Sequence, residues 1–193
     1  MLEGSFVRLE PMTLDHHAAL TEIALLDPEI WRLTVFVVRT PEEMRAYMDT
    51  ALRARAEGSA LPFVTIERSS GRIVGSTRFG NYDRENRRIE IGWTWLGRPW
   101  QRTVINTEAK YLMLTHAFEK LGCVRVELKT DALNTASRNA IKRIGGKEEG
   151  ILRKHTLMWS DRYRDTVYYG ILDEEWPEVK AHLQMLLASR PSK

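Results

Sequence analysis

Only one cysteine, Cys123, occurs in the 193 residues, and that excludes an internal disulfide. Its five histidines are scattered, with no spacing that gathers ligands around a metal. Long apolar runs are lacking too. Stretches such as "LTVFVV" fall far below the ~18 residues needed to cross a bilayer. The opening "MLEGSFVRLE" has neither the basic start nor the apolar core of a signal peptide. Internal repeats and low-complexity tracts are absent, which argues against solenoids and tethered modules. These absences lead us to expect one metal-free cytoplasmic domain over residues 1–193. The apolar content of 43% and charged content of 28% suit a single buried core.

Glycine is missing from a place where it is often used. In "RPWQRTVINTEAKYLMLTHAF" a loop runs into a helix marked by Ile105, Ala109, Leu112, Met113 and Ala117 at spacings of three and four. A strand precedes the loop. Such strand-to-helix turns commonly hold a phosphate on free backbone N–H groups. Between Trp100 and Thr107 there is no glycine to open the approach.

What is present is charge, unevenly placed. Arg98 to Arg164 holds 14 Lys/Arg against 7 Asp/Glu, or +7, and the remainder holds 15 against 19, or −4, which gives the total of +3. A basic second half suits an anionic ligand.

The pattern along the chain predicts a strand at "SFVRLEPM", a helix from Leu14 to Leu26, and a second helix from Pro41 to near Gly58, with Thr40 as N-cap. Three strands follow, "LPFVTIE", "IVGSTRFG" and "RRIEIGWTWL", joined by short turns as an antiparallel meander. After the long helix, Gly122 takes the C′ position, and "CVRVELKT" alternates as a strand. Asn134 caps a helix that Gly145-Gly146 stops at Ile144. A closing hairpin and a C-terminal helix over 173–188 complete the order, with Asp173 as cap and Trp176, Val179, Leu183 and Leu186 inward. This β-α-α-β-β-β-α-β-α-β-β-α order is α+β, with a mixed sheet.

The stretch "TEAKYLMLTHAFEKLGCVRVELKTDALNTASRNAIKRIGGKEEGILRKH", followed by "YRDTVYYGILDEEWPEVK", resembles the GNAT N-acetyltransferases, in particular the branch of the ribosomal-protein N-terminal acetyltransferases. The resemblance covers about Leu61 to Leu183 and is densest from Thr107 to Arg153. It implies a single GNAT domain, a mostly antiparallel sheet with helices on both faces, an acyl-CoA-binding core near 88–155, and acetyl-CoA as co-substrate. The family's pyrophosphate turn reads Arg/Gln-x-x-Gly-x-Gly/Ala. Aligned on Thr107-Glu108-Ala109, this chain has Gln101 at the first position, Val104 at the first glycine and Asn106 at the second small residue. The resemblance places Gln101, Arg102, Thr103, Val104, Ile105, Asn106 and Thr107 around the pyrophosphate. Were positive φ required of Val104, rebuilding the loop would cost on the order of 1–3 kcal/mol. Asn106 tolerates the left-handed region and could also cap the helix.

The resemblance also distributes roles. Glu90 is the first choice as base. Strict alternation puts it on one strand face with Gly92 and Thr94, and Ile89, Ile91, Trp93 and Trp95 on the other. Gly92 marks a bulge that would free an N–H for the thioester oxygen, and Trp93 and Thr94 beside it face acyl-CoA. Asn134 would bond the pantetheine arm, Ser137 would protonate the leaving sulfur, and Arg138 and Lys142 would meet the 3′-phosphate. Glu149, His155 and Asp165 are reserve bases. Each has a plainer reading: Glu90 as a solvated or ion-paired residue beside Arg87 and Arg88, Gly92 as a packing glycine, Asn134 and Ser137 as an ordinary helix start, Arg138 and Lys142 as solvated cations, His155 as an exposed polar residue, and Asp165 paired with Arg164. Cys123 reads as a small core residue.

The expected activity is transfer of acetyl to a primary amine, on a protein N-terminus or a small metabolite, by direct attack in a ternary complex. Two rivals remain. One is a coenzyme-A-binding protein without transfer. The other is a nucleic-acid-binding module using Trp93, Trp95 and Trp100 near Arg98 and Arg102. A homodimer is a family habit.

Overall fold

The computed structural model describes residues 1–189. It contains β1 (Leu2–Glu3), β2 (Val7–Pro11), α1 (His17–Leu25), α2 (Pro41–Ala56), β3 (Ala60–Glu67), β4 (Ile73–Asp83), β5 (Arg88–Leu96), α3 (Val104–Glu119), β6 (Arg125–Asp131), α4 (Thr135–Arg143), β7 (Lys147–Leu157), β8 (Tyr163–Leu172) and α5 (Trp176–Ala188). The eight strands form one sheet in the order β1-β2-β3-β4-β5-β6-β8-β7. Every neighbouring pair is antiparallel except β5 and β6. The predicted order is the one observed, with the short β1 added in front.

Local chemistry sets most boundaries. Thr40 accepts the Glu43 N–H at 3.2 Å and Pro41 opens α2. Asn134 accepts the Ser137 N–H at 3.0 Å at the start of α4, and Gly145, at φ 96°, ends the turn that follows. Three expected details differ. The predicted first helix starts as a 3₁₀ turn, Leu14–His16. Helix α3 ends at Glu119, so Gly122 lies one residue past C′, still left-handed at φ 62°. Helix α5 starts at Trp176 with Glu175 as N-cap, because Asp173 spends its carboxylate on the Glu174 N–H in the preceding turn, at 3.0 Å.

The sheet is covered on both faces. One core holds Phe63, Ile89, Ile91, Met113, Leu114, Val126, Tyr169 and Leu183, under α3 and α5. The other holds Leu20, Trp31, Met44, Met48, Val64, Ile66 and Trp95, under α1 and α2. Cys123 is buried with the first core, and burial pushes its thiol pKa up.

Candidate active site

The two parallel strands part early. β5 and β6 pair only at Arg88–Arg125, Ile89–Val126 and Glu90–Glu127. Beyond Glu90, β5 stays on β4 and β6 stays on β8, so a wedge opens between them. Parallel strands point the same way, so the helices that follow them both begin at the wedge's mouth: α3 after β5, and α4 after β6. Two helix N-termini therefore share one opening, a natural seat for anionic and polar ligand groups.

At α3 the glycine-free turn solves its geometry at an unexpected residue. Arg102, not Val104, takes the left-handed conformation, with φ 59°. Val104 is the first helical residue, and Thr103 caps it by accepting the Ile105 N–H at 3.3 Å. Asn106 is thus neither left-handed nor the cap; it lies inside the first turn, and its Oδ1 is buried without a donor. Gln101 turns back to donate to the Leu96 carbonyl at 3.0 Å. The Thr107 hydroxyl accepts from Arg143 at 2.7 Å, tying α3 to α4. None of Gln101 to Thr107 is proline, so every residue of the turn carries a backbone N–H.

On β5 the predicted bulge exists, one residue later than its glycine. Arg78 pairs with Gly92 and Ser76 with Trp95, so Trp93 and Thr94 both stand opposite Thr77. Trp93 carries the positive φ, 49°. The extra residue inverts the alternation. Ile89 and Ile91 face the α3 core, whereas Trp95 faces the α1/α2 core. Trp93 is on that second side as well, with its ring over Gly80 and Arg78. The expected stripe of Ile89, Ile91, Trp93 and Trp95 is therefore split, and it offers no aromatic platform for stacked bases. Thr94 turns toward α3 and meets the Thr77 hydroxyl at 2.8 Å. The Lys110 amine donates to Thr94 at 2.6 Å and to Thr77 at 3.2 Å. Burial pushes Lys110 down to about 7.

Glu90 is 7% exposed, and its partners are neither Arg87 nor Arg88. Its Oε2 accepts from Asn81 at 2.7 Å and from Lys129 of β6 at 2.8 Å. Its Oε1 lies beside Gly92, where an added methyl group would approach it to 3.1 Å. Burial alone depresses Lys129, but the bond and charge of Glu90, with Tyr168 and Glu127, override it and hold this lysine above its ordinary value. The reserve bases lie farther out. Glu149 is ion-paired to Arg125, which holds its carboxyl below the usual range. His155 meets the Thr166 hydroxyl at 3.0 Å. Asp165 does not pair with Arg164: it accepts the Lys154 N–H at 2.7 Å, while Arg164 donates to Thr166 at 2.9 Å.

At α4, Asn134 uses its side-chain oxygen as the cap, and Ser137 sits half-buried in the first turn. Arg138 and Lys142 converge on Glu148, at 3.2 and 3.1 Å. Among the described residues no cluster of His, Cys, Asp or Glu is placed to hold a metal, and no helix is long and apolar enough to cross a membrane.

A profile of the acetyltransferase (GNAT) domain matches residues 7–147. The chain belongs to the GNAT acetyltransferase family. It is similar to YdaF of Bacillus subtilis (strain 168), a candidate ribosomal N-acetyltransferase, at 36% identity over 110 residues, which is 57% of this chain and 59% of YdaF. The match thus spans under two thirds of that relative. The fold resembles a GCN5-related N-acetyltransferase from Brucella melitensis, with TM-score 0.91 and 31% identity over 97% of this chain and 85% of that one. It also resembles Mycobacterium smegmatis RimJ in complex with CoA-disulfide, with TM-score 0.80 and 25% identity over 94% of this chain and 89% of that one.

In this GNAT chain, sequence reasoning passed over four polar residues beside the wedge: Arg78, Asn81, Lys110 and Lys129. Lys110 had a signal. It lies three residues before Met113 and seven before Ala117, on the apolar face, where an isolated charge is anomalous. Lys129 looked like the polar member of an alternating strand.

Proposed function

We propose that this chain transfers the acetyl group of acetyl-CoA to a primary amine, by direct attack in a ternary complex. One observation carries the reading: the wedge between β5 and β6, with the starts of α3 and α4 at its mouth. The turn from Gln101 to Thr107 would receive the pyrophosphate on its N–H groups. Arg102 takes the left-handed conformation that glycine favours, which supports a cradle built without glycine. Asn134, at the start of α4, would bond the pantetheine arm with the groups its cap leaves over. Arg138 and Lys142 meet the 3′-phosphate if they exchange Glu148 for it.

The acceptor amine must lose a proton, and Glu90 is the base, through the Oε1 that Lys129 and Asn81 leave unused. The nitrogen attacks the thioester carbonyl, and an N–H released by the Gly92–Thr94 bulge stabilises the oxyanion. As the carbon–sulfur bond breaks, the thiolate takes the hydroxyl proton of half-buried Ser137, which regains one from solvent. The name of YdaF, a candidate ribosomal N-acetyltransferase, supports an amine on a ribosomal protein as acceptor; a small amine is the other acceptor class.

Calorimetric titration with acetyl-CoA tests the first half, with 3′-dephospho-coenzyme A as control. Binding that weakens without the 3′-phosphate is expected, and no heat at high micromolar ligand would overturn the reading. Release of free thiol with an amine panel tests the second half. Glu90→Gln should lower kcat by roughly 10²–10⁴. Binding without thiol release from any amine would favour a coenzyme-A-binding protein instead.

A further inference from the structure

Arg78 is a buried cation with no counterion. It is 5% exposed, on β4 opposite Gly92. Its guanidinium carbon lies 4.9 Å from the Trp93 ring centre and 5.6 Å from that of Tyr47. Among the described residues no carboxylate stands within ion-pair distance, and its Nε is sealed from solvent without an acceptor. Lys129, Arg125 and Arg162 on this face of the sheet are ion-paired, to Glu90, Glu149 and Asp131, and the half-buried Arg164, which has no ion pair, donates to the Thr166 hydroxyl. A guanidinium cannot escape burial by losing its proton, as an amine can. Two aromatic rings recover only part of the lost hydration.

The position indicates what is missing. Gly80 pairs with Glu90, so Arg78 is the diagonal neighbour of Glu90 on one face, about 7–8 Å away along the backbone. We propose that Arg78 binds a carboxylate carried by the acceptor, so that the acceptor is an amine bearing an acid group. Its ammonium approaches Glu90 while its carboxylate meets the fork of Arg78, and each end finds opposite charge. A dianionic phosphate fits less well, because it would face one cation and stand beside the Glu90 carboxylate. The inference rests on the proposed transfer to an amine at Glu90.

The test uses acceptor pairs that differ only in the acid group: γ-aminobutyrate against its amide, and tripeptides that begin with Asp against those that begin with Asn. Thiol release from acetyl-CoA should favour the acids by about tenfold or more in kcat/KM, mainly through KM, and Arg78→Gln should reduce that ratio to near one. The small pair and the peptide pair separate a metabolite from a protein N-terminus. Arg78→Lys keeps the charge without the fork and should give an intermediate ratio. Active enzyme with equal rates within each pair would overturn the inference while leaving the transferase reading intact. If no amine releases thiol, the transferase reading fails, and titration with the N-acetylated forms decides the rest. Heat with N-acetyl-γ-aminobutyrate that is absent for its amide and for Arg78→Gln sustains a carboxylate site; no heat with either form overturns it.

Discussion

Lys110 and Glu108 are both buried in α3, and they solve the problem of burial in opposite ways. Glu108 has its carboxylate oxygens satisfied by three backbone N–H groups, of Ser5, Phe6 and Val7, which donate to it at 2.6–2.8 Å. It thereby fastens the β1–β2 turn to the helix. Gly4 is required there, since a methyl group would come within 2.6 Å of a Glu108 oxygen. Glu108→Gln should cost about 1–3 kcal/mol, because one of the three donors would face an amide NH₂; a denaturant titration measures it. Lys110 has only two hydroxyls, and burial lowers it to about 7. Between about pH 7 and 10.5 the unfolded chain holds a proton here that the folded chain lacks. Stability should therefore rise with pH across that window, by up to about 1.4 kcal/mol per unit, and level off below it. Lys110→Met should remove that slope and raise Tm near neutral pH. An unchanged slope in thermal melts would contradict the burial argument.

Elements show where sequence patterns were legible and where they stopped. The meander, the α3 stripe, the Gly145-Gly146 stop and the closing hairpin followed from alternation, capping residues and turn composition, each of which acts within a few residues. Strand β5 shows the limit. Its alternation reads cleanly from Ile89 to Trp95, yet Trp93 and Thr94 share one partner residue and the faces exchange there. Gly92 announces a bulge but not the exchange of faces at Trp93, which is fixed by what lies across it: Gly80 under the Trp93 ring, and Lys110 beneath Thr94. The start of α3 teaches a similar lesson. Expected glycines predicted where strain should fall, but the strain moved to Arg102 and the cap to Thr103. Thr103→Ala should cost about 1 kcal/mol, seen as a lower Tm. It should not abolish acetyl-CoA binding, because the N–H groups belong to the backbone.

At the scale of the whole molecule, charge and topology coincide. The positive stretch from Arg98 to Arg164 contains both helix starts at the wedge, while α2 and β3–β4 stand across from it on the β5 side. Pairings such as Glu90 with Lys129 join residues 39 positions apart, so no sequence window contains them. The wedge also has a mechanical consequence. Within the sheet, three ladder pairs, the Val124 N–H bond to the Arg87 carbonyl and the ion pairs Glu90–Lys129 and Arg88–Glu127 join the plate of β1–β5 to the plate of β6–β8 along one seam. A bound acyl-CoA arm would act as a rivet beyond the end of that seam. Hydrogen exchange should therefore slow on ligand addition at the amides of Ile91–Leu96 and Leu128–Asp131 that point into the gap, with little change at the Arg88–Glu90 ladder. The protein's resistance to tearing would then depend on whether its substrate is in place.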